Sequence, residues 1–94
     1  MDNDEVTQLL VRIGREDQAA FRQLYKAFSQ RVYAYVLNML NDHARAEEVL
    51  ADTLYEVWRH PDRFRGDSQF STWLIGIARR KALMVYRSRR PDGV

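Results

Sequence analysis

From Gln18 to Leu40 the chain runs without a glycine or a proline. Within this stretch Phe21, Leu24, Tyr25, Phe28, Val32, Val36, Met39 and Leu40 recur at three- and four-residue steps. That spacing gathers them into one stripe on a helix, whereas a strand would need strict alternation. The spacing predicts the longest helix of the chain and the wall of its core. Asp17 stands before it, where a carboxylate can accept from the orphan N–H groups of the first turn. Asn41 follows it and tolerates the left-handed backbone that ends helices, and Asp42 can cap the next one. A helix with one apolar stripe needs other elements to cover it, and 94 residues suffice for one such core.

Three further segments supply the cover. Val6, Leu9, Leu10 and Ile13 lie at helical spacing, with Asp4 as the expected cap and Gly14 as the expected stop. This first helix is too short to stand alone and must dock on the rest. His43 to about His60 puts Ala46, Val49, Leu50, Leu54, Val57 and Trp58 on one face, and Pro61 ends it. A polar loop, Arg65 to Gln69, leads into a fourth helix for which Ser68 is the expected cap. The prediction is all-α: a compact bundle of four helices, the short first one packed on three longer ones. Phe28, Val32, Val36, Leu50, Leu54 and Ile77 are expected to be buried where the stripes meet.

Net charge is +2 but unevenly spread. Residues 1–60 hold 7 Arg or Lys and 10 Asp or Glu, whereas residues 61–94 hold 8 and 3. Six of the basic residues fall between Arg79 and Arg90, with no acid among them. On a helix projection Leu74, Ile77, Ala78, Ala82 and Val85 share one arc, and Arg79, Arg80, Arg87 and Arg90 the other. Trp73 sits at the border, on the side of Arg80 and Arg87. Aromatic groups among cations suit a surface that holds phosphates and stacks on unpaired bases, although Trp73 serves equally as a core wall. The outer face of the third helix carries Glu47, Glu48, Asp52 and Glu56 with few local cations. It reads as a solvated face or as a docking surface.

Catalytic and metal-binding patterns do not appear. The chain has no cysteine, which excludes disulfides and thiolate metal sites, and no glycine-rich phosphate loop. Its two histidines, His43 and His60, fall at expected helix ends. Glu47 and Glu48 are adjacent and diverge on a helix, and Ser68 and Ser71 have no histidine near them in sequence. No enzymatic role, cofactor or metal is expected. No apolar run reaches the roughly 20 residues of a membrane span, and the acidic start lacks the features of a signal peptide. A soluble, cytoplasmic protein is the expectation.

Four pieces in order, AFRQLY at 20–25, VYAYVLNMLND at 32–42, AEEVLADTLYEVWRH at 46–60 and FRGDSQFSTWLIGIARRKAL at 64–83, resemble domain 2 of the bacterial extracytoplasmic-function (ECF) sigma factors. The resemblance implies a helical domain over residues 1–90, with 91–94 starting a linker or tail. It implies binding of core RNA polymerase, at the clamp helices of the β′ subunit, through the third helix. Glu48, Ala51, Asp52, Tyr55 and Glu56 are the implied contacts. It further implies recognition of the promoter minus-ten element as a single non-template strand. The loop Arg65, Gly66, Asp67, Ser68 and Gln69 would capture a flipped base. Phe70, Ser71, Trp73, Arg79, Arg80, Lys81 and Arg87 would hold the strand around it. An anti-sigma factor is a further implied partner, and the family carries a second DNA-binding domain beyond a linker.

The sequence departs from the family pattern at two places. Ala51-Asp52 stands where Gln-Glu is common, which removes an amide and shortens an acid. Arg80 replaces an asparagine, exchanging hydrogen-bonding specificity for charge. The competing reading is a sigma-like interaction module that docks on a partner without specific DNA binding. A duplex-reading helix-turn-helix is disfavoured because the loop at 61–69 is too long for its turn.

Overall fold

The computed structural model describes residues 1–89; Arg90 and the expected tail at 91–94 lie outside the described residues. Four helices form: α1 (Asn3–Ile13), α2 (Gln18–Leu40), α3 (His43–Arg59) and α4 (Phe70–Arg89). A short 3₁₀ turn, Pro61–Arg63, follows α3, and no strand occurs among the described residues. The all-α bundle expected from the stripes is the one observed.

α2 packs against each of the other three helices, and α3 packs in addition against α4. Its inner residues Leu24, Phe28, Val32 and Val36 are buried, together with Leu50 and Leu54 of α3 and Leu74 and Ile77 of α4. All six residues expected in the core are therefore there. Ala46, Ala78 and Ala82 are fully enclosed, and such small side chains let helices approach closely. Thr53 is the buried polar residue of the core. Its hydroxyl donates to the Val49 carbonyl at 2.7 Å, so its burial leaves no unmet donor.

The turns follow the capping chemistry in most places. Asp17 Oδ1 accepts from the N–H groups of Ala19 and Ala20 at 3.0 and 3.2 Å. Asn41 adopts the left-handed conformation at φ 51°, and Asp42 Oδ1 accepts from the Arg45 N–H at 3.1 Å. α2 and α3 thus form an αα-hairpin on a two-residue connection.

Two expected boundaries differ. Asp2 rather than Asp4 caps α1, accepting from the Glu5 N–H at 2.9 Å, because the helix starts earlier and leaves Asp4 in its first turn. Gly14 ends α1 as expected, in right-handed backbone (φ −60°), and its N–H reaches back to the Leu10 carbonyl at 2.9 Å. The left-handed residue of the turn that follows is Glu16, at φ 64°. Ser68 does not cap α4: its hydroxyl donates to the Gln69 carbonyl at 3.2 Å. The Phe70 N–H is taken by Asn3 Oδ1 from α1, at 3.0 Å.

Candidate nucleic-acid and protein interfaces

The loop at 65–69 owes its position to two phenylalanines. Phe64 before it and Phe70 after it meet edge to face, ring centroids 5.2 Å apart at 86°. Phe70 also packs on Phe28 of α2 at 5.0 Å and on Trp73 at 5.6 Å. This aromatic clasp closes the base of the loop and displays Arg65, Gly66, Asp67, Ser68 and Gln69, which are all exposed. Gly66 has φ +80°, a backbone that side chains with a Cβ rarely adopt, and open space surrounds it.

Phe70 itself belongs to the interior. Its ring is 1 % exposed, so it builds the loop and presents no face to a base. The sequence places it at the helix start among polar neighbours, and that position alone does not reveal Phe28 and Phe64 closing over it. Ser71 and Trp73 are half-buried, and Trp73 leans on Phe64 at 5.3 Å while keeping part of its ring accessible. Along α4, Arg79, Arg80 and Arg87 are exposed on one side. Trp73, Arg80 and Arg87 follow at seven-residue steps, which sets successive groups roughly 10 Å apart on nearly one line. Lys81 departs from this row: its Nζ pairs with Glu56 Oε1 of α3 at 3.4 Å, and both side chains are partly buried. The pair joins two helices, and it accounts for one of the acids that lacked a cation in the sequence. Another, Glu48, lies 3.6 Å from Arg45.

The second surface lies between α2 and α3. Ala51, Asp52 and Tyr55 of α3 are exposed, and they line a groove of about 620 Å³ with Phe21 and Tyr25 of α2 and Trp58 of α3. Its floor is aromatic. Phe21 meets Trp58 at 5.4 Å and 69°, and Tyr25 at 6.1 Å and 64°. The Arg59 guanidinium lies 5.8 Å from the Tyr55 ring centroid. Sequence reasoning missed the α2 half of this groove. Phe21 and Tyr25 belong to the stripe that covers the core, and only their position near the exposed end of a long stripe could have marked them.

Also unforeseen was Asn3, whose Nδ2 donates to the Ser68 carbonyl at 2.8 Å. Arg31 of α2 was missed as well. It is exposed over the Phe28 ring at 5.8 Å and shares a polar cleft with Gln69 and Ser71. The histidines serve the turns. His43 Nδ1 shares a hydrogen bond of 2.6 Å with the Tyr33 hydroxyl, and His60 ends α3.

The sigma-70 region 2 family profile matches residues 24–91, which include the α2 core face, α3, the loop and α4. The chain belongs to that family. Sigma region 2 relatives bear this out along most of its length. The RNA polymerase sigma-H factor of Pseudomonas aeruginosa is 31% identical over 93 residues, covering 97% of this chain and 48% of that protein. The ECF RNA polymerase sigma factor SigK of Mycobacterium tuberculosis is 33% identical over 82 residues, covering 86% and 44%. SigL of the same organism is 33% identical over 76 residues, covering 79% and 42%. The chain thus spans less than half the length of these relatives. Among the described residues no helix is long and apolar enough to cross a membrane.

Proposed function

We propose that this sigma region 2 chain binds core RNA polymerase and reads the promoter minus-ten element as a single strand during transcription initiation. The observation that carries the reading is the exposed loop 65–69, held between Phe64 and Phe70 and followed by the cationic row of α4. Loop and row divide the work. Arg65, Asp67, Ser68 and Gln69 bring donors and acceptors that can meet the hydrogen-bonding edge of a flipped base. Arg79, Arg80 and Arg87 attract the phosphates on either side without regard to sequence. Trp73, partly accessible beside them, is suited to stack on a neighbouring base. Phe70, enclosed by the clasp, and Lys81, paired with Glu56, support the site from within.

Polymerase binding falls to the α2–α3 groove. Its aromatic floor and its rim of Asp52 and Tyr55 suit a helical partner that inserts apolar side chains and presents cations at the edge. The β′ clamp helices are the proposed occupant, and an anti-sigma factor is a second proposed partner. Glu56, tied to Lys81, contributes to this surface from its margin.

Fluorescence anisotropy on a randomised single-stranded library tests the DNA half. Selection should yield a preferred short sequence. Replacing Asp67, Ser68 and Gln69 by Ala should flatten the preference at one position and leave the salt dependence nearly unchanged. Arg80→Ala or Arg87→Ala should weaken all strands alike and lower the slope of log K against log salt by about 0.7 per lost phosphate contact. A parent that binds every strand equally, with the loop variant indistinguishable from it, would leave the alternative: a sigma-like module that only docks on proteins.

A further inference from the structure

We infer that Asn3, on the first helix, is a positioning residue that holds the reading loop in its selective shape; the inference rests on the proposed function above. One carboxamide bridges both sides of Gln69. Its Nδ2 donates to the Ser68 carbonyl at 2.8 Å, and its Oδ1 accepts from the Phe70 N–H at 3.0 Å. The first bond fixes the peptide that leaves Ser68, and the second fixes the first N–H of α4. An asparagine suits this span because it carries a donor and an acceptor on neighbouring atoms; aspartate supplies the acceptor alone, and alanine neither.

The anchor is itself rigid. α1 is seated in the core by Val6, Leu9, Leu10 and Ile13, and Asp2 caps it just before Asn3. The loop therefore has two halves. Ser68 and Gln69 are held from α1, whereas Gly66 stands in open space at positive φ. A half-fixed loop loses less freedom on capturing a base and presents fewer alternative edges to the wrong one. Through this bridge a helix without basic residues near the loop acts on base selection without touching DNA.

Asn3→Ala and Asn3→Asp separate the two bonds. Binding of the library-selected strand and of its single-base variants is measured by anisotropy, corrected for the folded fraction from urea titration. Hydrogen exchange at the amides of residues 65–72 runs in parallel. Asn3→Ala should speed exchange at Phe70 and reduce the ratio of preferred to disfavoured base about 2- to 10-fold, the range for losing a net hydrogen bond. Asn3→Asp should keep Phe70 protected yet lose the ratio in the same way, because the Ser68 carbonyl then faces an acceptor. Should both variants keep the parent's ratio among folded molecules, Asn3 is structural only and the inference is overturned while the proposed function stands. A parent without base preference overturns both.

Discussion

Truncating Phe70 separates a core role from a DNA role most cleanly. The ring is 1 % exposed and touches Phe28, Phe64 and Trp73 at centroid distances of 5.0, 5.2 and 5.6 Å. A buried phenylalanine removes about 150–250 Å² from water, which at roughly 25 cal/mol per Å² gives about 4–6 kcal/mol. That figure is an upper bound, since the unfolded chain already hides part of the ring. Phe→Ala substitutions in packed cores cost about 3–5 kcal/mol. Both routes converge near 4 kcal/mol, against a total of roughly 5–15 kcal/mol for a domain of this kind. In urea, with a slope of about 1–3 kcal/mol per molar, the midpoint of Phe70→Ala should fall by roughly 1–4 M.

Phe70→Leu keeps most of the volume and should cost roughly 1–2 kcal/mol, chiefly through the lost ring contacts. Its strand affinity should follow its folded fraction. A base-stacking ring would behave in the opposite way: Phe70→Leu would lose about 1–3 kcal/mol of binding at an unchanged midpoint. A cost below about 1 kcal/mol for Phe70→Ala would refute the clasp and with it the account of why the loop stands exposed.

Other perturbations probe separate parts of the molecule. Glu16→Gly should raise stability by roughly 1 kcal/mol in the same titration, because it relieves a side chain held at φ 64°. The Arg12 side chain, hydrogen-bonded at 2.9 Å, and the Ala20 N–H hold the Asp17 carboxyl below its ordinary value of 3.8. A carboxylate stabilised in the fold favours the folded state above pH 3.8, and that advantage fades as the pH falls through its lowered value. Asp17→Asn should therefore flatten the acid limb of a stability–pH profile below about pH 4. Asp52→Arg should weaken binding to a β′ clamp-helix fragment in calorimetry while leaving the unfolding free energy from urea titration within about 0.5 kcal/mol, because the side chain is exposed at the groove rim.

What could be read from the sequence was whatever depends on local periodicity. The stripe from Phe21 to Leu40 located α2 and its inner face, and the caps at Asp17, Asn41 and Asp42 followed from side chains that reach only their own turn. Charge along α4 located the exposed arginines for the same reason. Elements escaped where a distant segment competed with a local one. Ser68 looked like a cap until Asn3, 65 residues earlier, reached the same place. Phe70 looked accessible because the residues that enclose it come from α2 and from the far side of the loop. Lys81 looked like one more cation of the run, yet helix rotation turns it toward Glu56 on α3.

The same rotation gives one helix a core face and a cationic face at once. Ala78 and Ala82 are fully enclosed one turn apart, so α4 needs only a narrow apolar face to seat itself. The remaining arc is left to Arg79, Arg80 and Arg87, whose exposed heads carry little of the fold. Substitutions there should cost little stability, so that any change in phosphate affinity can be measured on a folded domain. At the N-terminal end of α4 no such separation exists. Phe70 is core, Trp73 is half core, and the loop at 65–69 hangs from both. On the proposed function, changes to the loop's anchors should therefore alter folding and base selection together, whereas changes to its exposed tip should alter selection alone. Asn3 stands with the anchors by position, yet on the inference above its replacement should act as a change to the tip does, because it bonds to the loop's backbone through its carboxamide.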